Sequence, residues 1–220
     1  MLSENGKIFA IGDIHGCHAK LRDLLDRLPY TPGRDRLVFL GDYVNRGPDS
    51  AGVLDLLCDL RQRDPGLVAL LGNHEYLLME YHRSGDTALL PYLRAMGLDA
   101  TVASYGSTGS VNLRSLGFLP REHLLFLQSL LPYWETEDYI FVHAGLEPDI
   151  PLADNDPSSL CEVRDIFLSS AHDFGRKVIF GHTPFELPLV TPTKIGIDTG
   201  AAYGNLLTAI ELPGENFYHA

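Results

Sequence analysis

One plan recurs three times early in the chain: a run of apolar, often β-branched residues, a polar loop, and then apolar residues at helical spacing. Ile8–Ile11 reads as the first strand and Gly12-Asp13-Ile14-His15-Gly16 as its loop, after which Leu21, Leu24, Leu25 and Leu28 form the stripe of an amphipathic helix. Residues 37–40, the loop 41–48, and the stripe Val53, Leu56, Leu57 and Leu60 repeat the plan. Residues 67–71, the loop Gly72-Asn73-His74-Glu75 and a helix over 76–83 repeat it again. Strands alternating with helices predict an α/β chain whose helices cover a sheet. Each polar loop then falls at the C-terminal end of a strand, where open α/β sheets place their ligands.

The later chain is less regular. Residues 84–117, with Gly97, Gly106, Gly109 and Gly117, read as short helices and loops. Leu124, Leu127 and Leu131 mark a helix, 139–142 a strand ending at His143, and 160–169 a further helix, while 178–180, 195–198 and 206–212 read as strands. No fixed-length repeat, low-complexity tract or linker divides the 220 residues, so residues 1–220 are expected to form one domain.

Composition narrows the partners. With 17 Lys and Arg against 29 Asp and Glu, a net charge of −12 opposes binding to nucleic acid or to an anionic membrane, and no basic cluster offsets it. Cys17, Cys58 and Cys161 form no C-x-x-C pair, and there is neither a signal-like start nor an 18-residue apolar window. A reducing, cytoplasmic location is the expectation; the oligomeric state is left open.

The polar residues at strand ends are Asp13, His15, Asp42, Asn73, His74, His143 and His182, with Arg46 in the second loop. Carboxylates, an amide oxygen and imidazoles suit manganese, iron or zinc better than an all-oxygen calcium site. They suffice for two ions sharing one carboxylate. His18, His82, His123, His172 and His219 lie outside these clusters and are expected at the surface, and Asp198 reads equally as a helper of the site or a turn cap.

Gly12-Asp-Ile-His-Gly16, Gly41-Asp-Tyr-Val-Asn-Arg-Gly47, Gly72-Asn-His-Glu75, Val142-His-Ala-Gly145 and Gly181-His-Thr183 resemble, in order, the signatures of the phosphoprotein phosphatase family of dinuclear metallophosphoesterases. Gly181-His-Thr-Pro184 and Ile197-Asp-Thr-Gly200 are most similar to its bacterial and phage branch, which includes small Ser/Thr protein phosphatases and diadenosine tetraphosphatases. The resemblance implies a calcineurin-like β-sandwich flanked by α-helices, with a dinuclear metal site at the strand ends. It implies that Asp13 and His15 bind one ion, that Asp42 bridges, and that Asn73, His143 and His182 hold the second. The ions, manganese by preference and otherwise iron or zinc, would lower the pKa of a water so that hydroxide attacks phosphorus directly. Arg46 and Arg164 match the family's phosphate-binding arginines and Asn73 also faces the phosphate, although Glu162 replaces a Trp common in this branch.

His74 matches the residue that protonates the leaving group, and Asn45 stands where the family has the Asp that supports it. An amide oxygen can accept the imidazole N–H but brings no charge to favour imidazolium, so hydrolysis of esters with poor leaving groups is expected to suffer most. The resemblance places a phosphoserine or phosphothreonine phosphatase first, acting on phosphorylated proteins or small phosphate esters. A symmetrical diadenosine tetraphosphatase-like nucleotide hydrolase is the alternative, and a weakly active, degenerate phosphatase the third reading. The stretches 84–117 and 147–159 are expected to frame the substrate groove.

Overall fold

The computed structural model describes residues 6–107 and 112–220; residues 1–5 and 108–111, Gly109 among them, lie outside the described residues. The strands are β1 (Ile8–Ile11), β2 (Arg36–Phe39), β3 (Val68–Ala69), β4 (Tyr133–Glu135), β5 (Tyr139–Val142), β6 (Lys177–Phe180), β7 (Leu189–Val190), β8 (Lys194–Gly196), β9 (Thr208–Leu212) and β10 (Asn216–His219). The helices are α1 (His18–Arg27), α2 (Ser50–Arg63), α3 (Asn73–Ser84), α4 (Leu90–Ala95), α5 (Leu98–Ser104), α6 (Arg121–Gln128), α7 (Pro157–Glu162) and α8 (Asp165–Leu168).

Two five-stranded mixed sheets result, ordered β10-β9-β1-β2-β3 and β4-β5-β6-β8-β7. β1, β2 and β3 run parallel, as do β5, β6 and β8, and antiparallel strands complete each sheet. The period-two alternation of side chains explains the layering. Ile8, Ala10, Val38 and Leu40 meet Phe141, Ile179 and Ile195 in the core between the sheets. Their neighbours Phe9, Ile11, Leu37 and Phe39 turn outward to Leu21, Leu24, Val53 and Leu57 of α1 and α2. Ile140, Val142, Val178 and Phe180 turn to the other outer face, under Leu160 and Phe167 of α7 and α8. Burying a side chain such as Phe39 contributes roughly 1.5–3 kcal/mol, and Phe39→Ala should cost about 3–5 kcal/mol once its cavity is counted.

Several elements differ from the sequence expectation. α3 begins at Asn73 rather than residue 76, because the Asp42 carboxylate accepts the His74 N–H at 3.2 Å and so caps the helix from another strand's loop. Asn73, His74 and Glu75 therefore stand on the first turn of a helix. The helix expected over 160–169 is broken: Val163 and Arg164 have non-helical backbone angles between α7 and α8. β4, β7 and β10 were not anticipated; they are sheet-edge strands of two to four residues whose pairing is set by their neighbours. His123, expected at the surface, is buried, bonded to the Tyr105 hydroxyl and to Asp55.

Candidate active site

The C-terminal ends of β1, β2, β5, β6 and β8, with the start of α3, converge on one place. Asp13 and His15 follow β1, Asp42 follows β2, His143 and His182 follow β5 and β6, and Asn73 opens α3. The backbone is forced there. Of eight non-glycine residues with positive φ among the described residues, five belong to the site: His15, Asp42, Asn45, Arg46 and His182. Such conformations cost on the order of 1–3 kcal/mol each and persist where surrounding structure over-determines them. Close approach matters as much: a Cβ at Gly72 would fall on Asp42 Oδ1, and one at Gly181 on Asp13 Oδ1.

Asp42 lies at the centre. His15 Nε2 is 3.3 Å and His74 Nε2 3.8 Å from its Oδ2, and His143 Nε2 is 3.5 Å from its Oδ1. His15 and His74 cluster with it on one side, and His143 and His182 on the other. Asn73 Oδ1 is 3.2 Å from His143 Nε2 and 3.1 Å from His182 Nδ1. Both Asp13 oxygens accept the His182 N–H, at 3.0 and 3.1 Å.

Tautomers follow from the outer bonds. His15 Nδ1 donates to Val44 O at 3.1 Å and His143 Nδ1 to Leu40 O at 2.8 Å, so both Nε2 atoms present lone pairs inward. His143 Nε2, Asn73 Oδ1 and Asp42 Oδ1 are then acceptors crowded together with no proton between them. That donor set fits a cation.

Charge tells the same story. Burial pushes Asp42 up to about 7 and Asp13 well above the carboxylate range, Asp198 and Asp42 adding to the latter. Burial also holds His15 down to about 3, His143 to about 4 and His182 to about 2, with His74 far below its ordinary value. Neutral imidazoles around carboxylates too costly to ionise alone are the electrostatic complement of divalent ions. The residues present therefore fit two divalent cations.

Arg46 and Arg164 stand at opposite ends of the cluster. Arg46 Nη1 bonds His15 Nε2, and Arg164 Nε donates to His182 Nε2 at 2.8 Å. Both guanidinium-bearing residues are exposed. Asp198 is buried and its Oδ1 accepts the Gly200 N–H at 2.9 Å, so it caps a turn while its charge acts on Asp13 and His143.

Around His74 the structure departs from the sequence expectation. Asn45 presents its amide nitrogen, not its oxygen, to His74 Nδ1 at 2.8 Å. An amide NH₂ can only donate, so Nδ1 accepts and the imidazole proton sits on Nε2, a buried atom without a partner. Thr101 Oγ1 donates to Asn45 Oδ1 at 2.8 Å, while the Asn45 backbone N–H donates to Thr101 Oγ1 and Ser50 Oγ at 2.8 and 3.1 Å. Part of the 84–117 stretch, expected to frame a groove, thus backs the site from behind through α5.

Thr101, Ser50 and Glu75 escaped the sequence reading. Glu75 accepts the N–H groups of Asp42, Tyr43 and Val44 at 2.9, 2.9 and 3.1 Å and so fixes the loop that carries Asp42. Burial and the Asp42 charge push it up to about 8, against the pull of those three donors. An acidic residue opening a helix was the available signal for Glu75; nothing local marks Thr101 or Ser50.

Comparison with known proteins agrees with this geometry. The profile of the Metallophos family, calcineurin-like phosphoesterases, matches residues 6–203. A bis(5'-nucleosyl)-tetraphosphatase PrpE of the asymmetrical type from Bacillus cereus (strain Q1) is 28% identical over 92% of this chain and 89% of its own length. A crystal structure of a provisionally assigned diadenosine tetraphosphatase superposes with a TM-score of 0.75 at 25% identity, covering 100% of this chain and 95% of that one. A Saccharomyces cerevisiae protein serine/threonine phosphatase superposes with a TM-score of 0.62 at 18% identity over 96% of this chain and 74% of its own, a likeness of fold.

Proposed function

Because the chain belongs to the calcineurin-like phosphoesterase family and is a hydrolase, we propose that it cleaves the phosphoanhydride chain of a dinucleoside polyphosphate of the diadenosine tetraphosphate class. Asp13, His15 and Asp42 are assigned to one divalent ion and Asn73, His143 and His182 to the other, with Asp42 shared; manganese is the first choice and iron or zinc also match the ligand set. Bound there, such ions supply Lewis acidity to phosphate oxygens and lower the pKa of water.

The protein's own groups do the rest. Arg46 and Arg164 can each fork onto phosphate oxygens from opposite ends of the cluster, offsetting charge that grows during phosphoryl transfer. The Asn73 amide is also assigned to the phosphate. His74 can donate an Nε2–H hydrogen bond toward the departing oxygen.

The contact from Asn45 Nδ2 to His74 Nδ1 carries the choice of substrate. A donor on Nδ1 opposes imidazolium, so His74 is suited to hydrogen-bond a departing group rather than to hand it a full proton. A nucleotide leaves as a phosphate with a pKa of about 6 and needs no proton. The alkoxide of phosphoserine or phosphothreonine is far more basic and does. The same argument ranks phosphoprotein hydrolysis, the first expectation from sequence, below nucleotide cleavage. The tetraphosphatase names of the relatives support the same order.

Metal-stripped protein resupplied with manganese should turn over diadenosine tetraphosphate faster than a phosphothreonine peptide, assayed side by side. Faster release of phosphate from the peptide contradicts the proposal.

A further inference from the structure

At the rim of the site, the ring of Tyr203 packs against Arg46, whose Cζ lies 5.2 Å from the ring centroid. Tyr203 is 64% exposed, an unusual setting for a large ring beside a phosphate-binding arginine. The guanidinium lies over one face, and most of the residue is exposed.

Its backbone is held firmly. Tyr203 ends a 3-10 turn over Ala201–Tyr203, with Gly200 and Gly204 on either side at φ 75° and 93°. Lys20 Nζ reaches across from α1 to donate to Ala201 O at 2.9 Å and also to Asn205 O. Asn205 Nδ2 donates to Glu186 O at 3.0 Å, and Thr199 Oγ1 donates to Leu206 O at 2.7 Å. Asp198 accepts the Gly200 N–H from the site side. An exposed aromatic ring on so constrained a loop gives up little freedom when something packs on it, which is the condition for an efficient contact. Leu187 and Leu206, which follow the two residues of the Glu186–Asn205 bond, are 69% and 40% exposed.

We infer that Tyr203 is the stacking platform for a nucleobase of the substrate, with Arg46 beside it on the phosphate chain. The inference rests on the nucleotide reading above and deepens it, for it assigns the specificity for a base to a residue outside the metal cluster. Aromatic rings stack on any base face, so the platform selects nucleotides over inorganic polyphosphates without reading which base is present. The arginine next to the ring supplies the charge that a polyphosphate chain requires.

The test compares wild type, Tyr203→Phe and Tyr203→Ala in the manganese-loaded enzyme. Two constants are read: KM for diadenosine tetraphosphate, and the inhibition constant of inorganic tripolyphosphate, which has charge and no base. Tyr203→Ala should raise KM roughly tenfold, within the range of a lost base stack, while tripolyphosphate inhibits as before; Tyr203→Phe should behave as wild type. Unchanged KM in Tyr203→Ala overturns the inference. So does an equal weakening of tripolyphosphate, which would mean that the ring only holds Arg46. If wild type hydrolyses an aryl phosphate but not diadenosine tetraphosphate, the nucleotide reading itself fails and takes the platform with it, a result distinct from the other two.

Discussion

The two ends of the metal cluster are built differently. At the His74 end, Asn45, Ser50, Thr101 and His74 are all buried, and Asn45 is bonded through its backbone and its amide to side chains of three helices. At the His182 end, Arg164 is exposed in the break between α7 and α8 and reaches the site through one bond to His182. The first end is the more constrained, and in the proposed reaction it would set which chemistry is possible. The second is held by fewer contacts, and on the proposed function its loss should be felt in binding.

The strongest way to break this contrast is to remove what fixes Asp42 itself. Glu75→Ala leaves three buried N–H groups unpaired, each worth about 1–3 kcal/mol. Urea unfolding should show a loss of roughly 3 kcal/mol or more, with turnover gone because Asp42 is no longer held. Next, Thr101→Val and Arg164→Ala should part company. Thr101→Val frees the Asn45 amide and should cost about 1–3 kcal/mol of stability and lower kcat. Arg164→Ala should leave stability within about 0.5 kcal/mol and raise KM, by roughly tenfold. If both variants changed KM alone, or both lost stability alike, the two ends would not differ as described.

The smallest effect comes from β2, which has a carboxylate beyond each end: Asp35 precedes it and Asp42 follows it. Asp42 is pushed up by burial, whereas the Arg34 side chain holds Asp35 down to about 2, helped by the N–H groups of Lys7 and Thr31. Because the folded pKa lies below the unfolded value, Asp35 stabilises the fold above about pH 4, and that contribution fades as pH falls through 2. Asp35→Asn should therefore cost about 1 kcal/mol at pH 7, a discounted figure since Arg34 is half-exposed and screened. The gap between wild type and variant, followed by urea unfolding, should close toward pH 2.

Much of this architecture was legible from residue order. β1 and β5 fall where apolar runs placed them, and His15, Asp42, His74, His143 and His182 from the polar clusters lie close together. Alternation along a strand reports burial on both faces, yet it does not say whether a second sheet or a helix covers each face. The sandwich therefore came from resemblance rather than periodicity. The edge strands are too short to carry a pattern. Asn45 is a visible departure in the sequence, but its amide meets Thr101, 56 residues away, in a helix whose local sequence announces nothing. Long-range contacts of this kind are written in packing, and a single sequence does not display them.

In the proposed reaction the Asn45 amide keeps the His74 proton on Nε2 and so ties the enzyme to substrates whose leaving groups need no proton. Turnover of phosphate esters of graded leaving-group pKa, from aryl to alkyl, measured in wild type and in Asn45→Asp, tests it most directly. The account predicts a steep fall in rate with leaving-group basicity in wild type and a flatter one in Asn45→Asp, with alkyl esters accelerated most. Parallel slopes in the two enzymes would contradict it.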